Sequence, residues 1–423
     1  MSKSPNSRLL GGILLLTGTA IGGGLLALPI ATSEAGFMNA LGLMFGCWFL
    51  MTASAFLILE VNLQLPTHAN IVSMARTLLG PWGTAVAWTS YLLLLYSIIA
   101  AYMSGGSDVL RNLIEQNLQF QCPSSVYTLL FTVLFGIIVY RGIHYVDYVN
   151  RGLMIAKMGT YLILVIMILP VISLPQLLTG GETRFLAKGF TVIVSAFSYA
   201  NIIPSLRSYF QDDIPALRKT IFIGSTIPLI CYILWNASVM GIIPLQGDQG
   251  LIQLSHTQQP TSSLVNQLSH YLHSQPLTLL ANGFASVCVL TTFLTCSLGL
   301  SDFLADGLRL SKLKNIRHKL IIYGLTFLPP LAVTLFYPGI FIKALNYAGI
   351  YCLILFVLLP VIMAWRSRYS TTISQETTVT RLVGGKLMLM GLGAISIFGI
   401  LYGLYEIYKT EGVTESIVEE RNG

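Results

Sequence analysis

The chain has 423 residues, 54% of them hydrophobic and 10% charged, and a mean hydropathy of +0.73, which leaves too little polar surface to clothe a soluble domain. It is therefore read as an integral membrane protein. The formal charge of +7 is no nucleic-acid footprint, because no basic stretch interleaves with aromatics and Lys and Arg fall in short gaps between apolar runs.

Apolar stretches of about 17 to 25 residues, the length that spans a bilayer, recur at 9–30, 37–59, 83–104, 126–140, 152–172, 189–205, 220–244, 277–303, 320–337, 340–365 and 386–408. The expected fold is one all-α membrane domain of eleven helices over residues 1–423, since no linker or low-complexity segment divides the spans. The first stretch is too long for a cleaved signal and runs straight into the second. Of the 24 Lys and Arg, 17 lie on the face shared with the N-terminus, 6 on the opposite face, and Lys157 within a span. The positive-inside rule then places the N-terminus in the cytoplasm and the C-terminus outside. Trp82 and Trp365 stand at interfacial positions.

The first span carries GTAIGGGLLALP at 18–29. Glycine costs up to about 1 kcal/mol relative to alanine inside a helix, so this run marks either close helix packing or an interruption. Glu60 ends the second span, as a proton-path or gating carboxylate or as a helix-end group paired with a loop cation. Tyr96 lies midway along the third span and is a candidate for the pocket wall. Lys157, in the fifth span, is six residues past Arg151 and so about 9 Å further along the helix. Ionisable groups at such depth are costly and commonly functional, the alternative being a lysine that snorkels to the headgroups.

The sixth span, GFTVIVSAFSYANIIPSLRSYF at 189–210, is interrupted by Ser198, Asn201 and Pro204. Ile21 and Asn201 are 180 residues and five spans apart, so the two broken spans enter the bilayer from opposite sides. That is the pattern of an inverted repeat, 9–172 and 189–365, with 386–408 as an extra helix. Unwound backbone is tolerated at membrane depth where it lines a cavity, and its free N–H and C=O groups suit the carboxylate and ammonium of an amino acid. The candidate substrate contacts are Thr19, Ala20, Ile21, Gly22, Gly23 and Gly24 at the first break, and Ser195, Phe197, Ser198, Tyr199 and Asn201 at the second. The longest polar stretch, 245–276, lacks Lys and Arg and is expected to be a solvated outer loop. Asp302 and Asp306 share one face at the end of the eighth span. Asp302 is a candidate inner gate, and Asp306 is placed to pair with Arg309.

Several stretches carry a resemblance: GTAIGGGLLALP, AAYMSGGSDVL (100–110), NRGLMIAK (150–157), IPSLRSY (203–209), LGLSDFLAD (298–306) and TFLPPLAVTLFYPGIFIKALNYAG (326–349). From the first span to about Trp365 the chain resembles the aromatic amino-acid permeases of bacteria, most closely the tyrosine-specific members. The resemblance implies an inner-membrane, proton-coupled symporter of the amino acid/polyamine superfold, with the LeuT-type five-plus-five repeat. It implies an aromatic amino acid and a proton as partners, with no cofactor, no metal and no obligatory protein partner. It also implies that Lys157 takes the place of the ion that sodium-coupled relatives hold between helices one, five and eight, losing and regaining a proton during transport. Where the family reads Gly-Phe-His in the sixth helix, this chain has Ser198, Tyr199 and Ala200, a departure at a point where selectivity would be set.

Other classes fit less well. The six cysteines show no CxxC pair, the six histidines fall in loops or at span edges, and no HExxH, phosphate loop or dinucleotide fingerprint occurs. A membrane-embedded enzyme would need a catalytic set inside its spans, where Lys157 stands nearly alone. A non-transporting subunit, a channel, or sodium coupling through Thr292, Thr295 and Ser297 are the remaining readings.

Overall fold

The computed structural model describes residues 5–67, 69–118, 121–178, 180–247, 250–254, 257, 259–272, 274–308, 316–369, 381 and 383–422. Lys3, His68, His256, His273, Arg309, Lys312 and Lys314 lie outside the described residues, and with them part of the charge count and the Asp306 to Arg309 pairing. The described residues form helices and no strand. Among them, nine helices are long and apolar enough to cross a membrane, and a pair meeting at a 53° bend, Ser7–Ala20 with Gly24–Ala31, makes a tenth span. Ser124–Tyr140 is apolar but only 17 residues long. Each apolar stretch of the sequence thus coincides with a helix.

The glycine run stops α1 (Pro5–Ala20), and α2 (Gly24–Ala31) resumes after it. α3 (Phe37–Asn62) starts after Gly36, whose φ of +77° only glycine adopts freely. α4 (Ile71–Leu118) is two helices joined at Gly80, also at φ +77°, just ahead of Pro81. α5 (Ser124–Tyr140) and α6 (Ile143–Ile168) come next. The sixth span is α7 (Phe190–Ala196), a 3₁₀ turn at Tyr199–Ile202, and α8 (Ile203–Phe210), with Pro204 in the first turn where a missing N–H costs nothing. The Asp213 side chain caps α9 (Ile214–Met240), accepting the Ala216 N–H at 3.1 Å. The remaining helices of more than ten residues are α10 (Pro260–Leu272), α11 (Gln275–Gly307), α12 (Ile316–Phe336), α13 (Phe341–Cys352), α14 (Leu359–Tyr369) and α15 (Lys386–Asn422).

These helices sort into two packed groups. α1 and α3 both pack on α9, and this group takes in α2 and α7, while α4, α5, α11 and α12 form a second group with α6 against α11. α13 touches both groups, through α4 and α7. In the membrane-length window of the span Phe341–Tyr369 72% of residues are buried, against 17% in Ile316–Phe336. The first is therefore central and the second peripheral, with Leu328 and Phe336 exposed as a lipid-facing helix requires.

The polar stretch 245–276 departs from expectation. It holds α10, which buries Leu264, Val265 and Leu268. Asp108 of α4 fastens its first turn, accepting the Thr261 and Ser262 N–H groups at 3.1 and 3.0 Å and the Ser262 hydroxyl at 2.6 Å. The stretch reads as a loop because its anchor lies far away in sequence.

Candidate functional site

A cavity of about 410 Å³ lies between the two helix groups, where the two breaks face each other. Its volume falls in the range of about 300–1,000 Å³ usual for small-molecule sites. Exposure drops along it, from Leu14 at 61% to Tyr102 at 3% and Phe356 at 1%. It therefore opens beside Leu14 and Leu15 of α1 and is shut at the level of α2.

The glycines at the first break are forced by close approach. A Cβ on Gly23 would lie 2.2 Å from the Tyr102 ring, and one on Gly22 would lie 2.9 Å from Thr292 Oγ1. The Gly23 N–H is already committed to Thr292 Oγ1 at 2.8 Å. The Gly22 N–H group has no hydrogen-bond partner among the described residues, and Gly22 and Gly24 both border the cavity. A free donor beside the N-terminus of α2 makes an anion-seeking point.

The carbonyl ends of the two half-helices converge on the protein's own donors. The Tyr232 hydroxyl lies 2.7 Å from the Ala20 carbonyl, at the end of α1, and 2.8 Å from the Ala196 carbonyl, at the end of α7, sharing its one proton between them. The Lys157 Nζ donates to the Ile21 carbonyl at 2.5 Å. Lys157 is only 1% exposed, so it does not snorkel, and its ammonium faces the negative end of the α1 dipole.

Of the residues singled out in the sequence, Thr19, Ala20, Ile21, Gly22, Gly24, Ser195, Ser198, Asn201 and Lys157 all border this one cavity. Gly23 lies behind the Tyr102 ring. Phe197 is buried edge-on against Tyr232, with ring centroids 4.9 Å apart, and the Tyr199 hydroxyl is 2.8 Å from Thr52 Oγ1 on α3; both pack into the first helix group rather than toward the cavity. Tyr96 donates its hydroxyl to the Leu325 carbonyl at 2.7 Å, away from the site. The reason is helical phase: Tyr91 and Tyr102, which do line the cavity, are eleven residues apart and nearly eclipsed, whereas Tyr96 is turned about 140° from Tyr91. Glu60 forms a buried two-pronged ion pair with Arg368, at 2.6 and 2.7 Å, outside the cavity lining, and its partner stands at the end of a span rather than in a loop. Asp302 is exposed on α11, also outside the lining. Cys296 and Phe356 border the cavity without any sequence signal beyond lying on spans that converge there, and Asn150 and Met154 border it from within the stretch NRGLMIAK.

The Tryptophan/tyrosine permease family model matches residues 5–403. The chain belongs to this family. Relatives of this permease include the "Tyrosine-specific transport system 1" of Haemophilus influenzae, 34% identical over 86% of this chain and 89% of its own. The "Tryptophan-specific transport protein" of Pseudomonas aeruginosa is 31% identical over 87% of this chain and 88% of its own. The "Glutamine transporter 2" of Aliivibrio fischeri is 26% identical over 95% of this chain and its full length. The permease is thus an integral membrane protein of a bacterial amino-acid transport family.

Proposed function

We propose that the permease imports an aromatic amino acid, tyrosine foremost, together with a proton across the bacterial inner membrane. The observation that carries this reading is the pair of facing helix breaks with a cavity between them. The free Gly22 N–H, beside the N-terminus of α2, takes the substrate carboxylate. The ammonium takes the second lone pair of the Ala20 or Ile21 carbonyl or the Ser195 and Ser198 hydroxyls. Tyr91, half-buried at the cavity wall, offers an aromatic face to the side chain.

In this reading Ser124–Tyr140 counts as a span, giving eleven, and the breaks at α1/α2 and α7/α8 are the equivalent points of two inverted five-helix repeats. The N-terminus lies in the cytoplasm, the C-terminus in the periplasm, and the cavity of this state opens inward. Coupling to a proton rather than sodium is supported by Lys157, whose own cationic head occupies the carbonyl end of α1. When Lys157 gives up its proton the charge–dipole attraction between α6 and α1 is lost, which frees the first break to move against the second helix group. Tryptophan is the competing substrate, because tryptophan-specific transport proteins stand among the relatives.

The test is uptake of labelled tyrosine into proteoliposomes under an imposed pH gradient and, separately, a sodium gradient, each with excess tryptophan, phenylalanine or leucine. Accumulation driven by the pH gradient and blocked only by aromatics supports the proposal. Absence of tyrosine uptake under both gradients removes tyrosine as substrate. Accumulation with sodium alone removes the proton and the role of Lys157.

A further inference from the structure

The two ends of an amino acid meet different surroundings in this cavity. Among the described residues that border it, Lys157 is the one charged side chain, and no Asp or Glu is there to meet a substrate ammonium. The backbone acceptors at the breaks are also committed. The Ala20 and Ala196 carbonyls share the Tyr232 hydroxyl, and the Ile21 carbonyl takes the Lys157 ammonium. The Gly22 and Ser195 carbonyls accept the N–H groups of Leu25 and Ser198 at 3.4 and 3.3 Å. An ammonium is left with a second lone pair on one of these carbonyls, the Ser195 and Ser198 hydroxyls and the Asn201 amide, all of them neutral.

A carboxylate finds a stronger partner. Lys157 is 1% exposed, so its charge reaches the cavity through the group it holds rather than by touching a ligand. That group is the Ile21 carbonyl, which belongs to the same peptide unit as the free Gly22 N–H. The unit is trans, so its C=O and N–H point in opposite directions, and resonance joins them. A cation on the oxygen draws electron density from the nitrogen and strengthens the N–H as a donor, in the way that successive hydrogen bonds polarise one another. Gly22 is partly exposed at the cavity wall, and the next N–H, that of Gly23, is tied to Thr292 Oγ1 at 2.8 Å, so the unit is held on both sides. The charge balance runs the same way. With Lys157 protonated, a lone carboxylate neutralises the site, whereas a zwitterion leaves the buried cation uncompensated.

We infer that recognition at this site is carried by the carboxylate, and that the permease also binds aromatic monocarboxylates lacking the α-ammonium, the 3-arylpropanoates. Lys157 is a positioning residue for that carboxylate, acting through the Ile21–Gly22 peptide. The inference rests on the transport proposal above and names a second ligand class for the same site. An aromatic amine without a carboxylate fares worst, because it brings a second cation toward Lys157 and leaves the Gly22 N–H without an anion.

The experiment is displacement of labelled L-tyrosine from the purified full chain in detergent, for the unaltered protein and for Lys157→Met. The two competitors are 3-(4-hydroxyphenyl)propanoate, which is tyrosine without its ammonium, and tyramine, which is tyrosine without its carboxylate. In the unaltered protein the propanoate is expected to bind at least about tenfold more tightly than tyramine, the size of one hydrogen bond to a charged group. This comparison needs no substitution, so it stands whether or not the variant folds. In Lys157→Met the preference falls by at least about threefold while tyramine binding is not weakened, a selective loss that general destabilisation would not produce. A propanoate that falls short of the tenfold margin over tyramine overturns the inference and leaves tyrosine transport standing. A preference in Lys157→Met that stays within about threefold of the unaltered one overturns the action of Lys157 through the peptide. A protein that binds no tyrosine overturns the transport proposal and this inference with it.

Discussion

Gly23 offers the sharpest check on why the first span breaks where it does. A Cβ added there would lie 2.2 Å from Tyr102 Cε1, 2.9 Å from Cδ1 and 3.0 Å from Cζ. Carbon atoms settle about 3.5–4.0 Å apart, so the ring would have to retreat by more than about 1 Å. Behind it stands Phe341, fully buried and edge-on at 6.0 Å, so retreat on that side meets a second packed ring. Forcing an extra carbon into such packing costs about 1–3 kcal/mol, equivalent to about 5- to 150-fold in an equilibrium. Gly23→Ala should therefore destabilise the folded protein by that amount in detergent-titrated unfolding followed by intrinsic fluorescence. In a Tyr102→Ala background the same substitution should cost little, leaving a coupling of at least about 1 kcal/mol between the two sites. Equal destabilisation with and without the Tyr102 ring would refute the crowding argument and return the glycine to a simple requirement of backbone conformation.

Three further outcomes are expected. Lys157→Met keeps the bulk of the side chain and removes the ammonium, so uptake into proteoliposomes should no longer respond to an imposed pH gradient; a full response would separate Lys157 from coupling. Arg368→Ala removes the two-pronged partner of the buried Glu60 carboxylate and should cost about 3–5 kcal/mol in unfolding measurements, whereas Glu60→Gln with Arg368→Met should cost much less; equal costs would show that the pair is not what stabilises this corner. Asp108→Ala removes the acceptor of three hydrogen bonds at the start of α10 and should cost about 0.5–2 kcal/mol, seen as faster hydrogen exchange at Thr261 and Ser262, while Asp108→Asn should retain part of the protection; unchanged exchange in Asp108→Ala would mean that the helix is held by its apolar face alone.

Span positions are legible because twenty apolar residues in a row admit few other uses, and the two breaks are legible because Gly22 to Gly24 and Pro204 violate helix propensity at points five spans apart. Three-dimensional pairing is not. Nothing local to Tyr232 announces that its hydroxyl joins the ends of two half-helices, nor does anything near Asp108 point to a partner 154 residues later. Tyr96 misleads for a different reason: its depth in the membrane is right, but depth along a helix says nothing about azimuth, which the Tyr91 to Tyr102 spacing gives. Glu60 shows the same limit from the other side, since a carboxylate at a span end is equally compatible with a gate and with the buried ion pair it actually forms.

The contacts that shut the buried end of the cavity all cross from one helix group to the other or rest on helices that do. The Tyr102 ring of α4 lies on Gly23 at the first break, Phe341 of α13 backs it, and α10, fastened to α4 by Asp108, also touches α2. Under the proposed alternating access, presenting the site to the opposite face requires these contacts to part together. A ligand drives that change only through the difference in its affinity for the two states, and a swing from 1:99 to 99:1 needs about 5.5 kcal/mol of such difference. Gly24 lies against the Tyr102 hydroxyl, two residues from the free Gly22 N–H, so under the proposal a carboxylate bound there is positioned to bear on the ring that seals the cavity. Lys157 holds the other side of the same three-residue break through the Ile21 carbonyl. Under this proposal substrate and proton act within three residues of one another on a single segment of backbone, which would couple their transport without any longer-range relay.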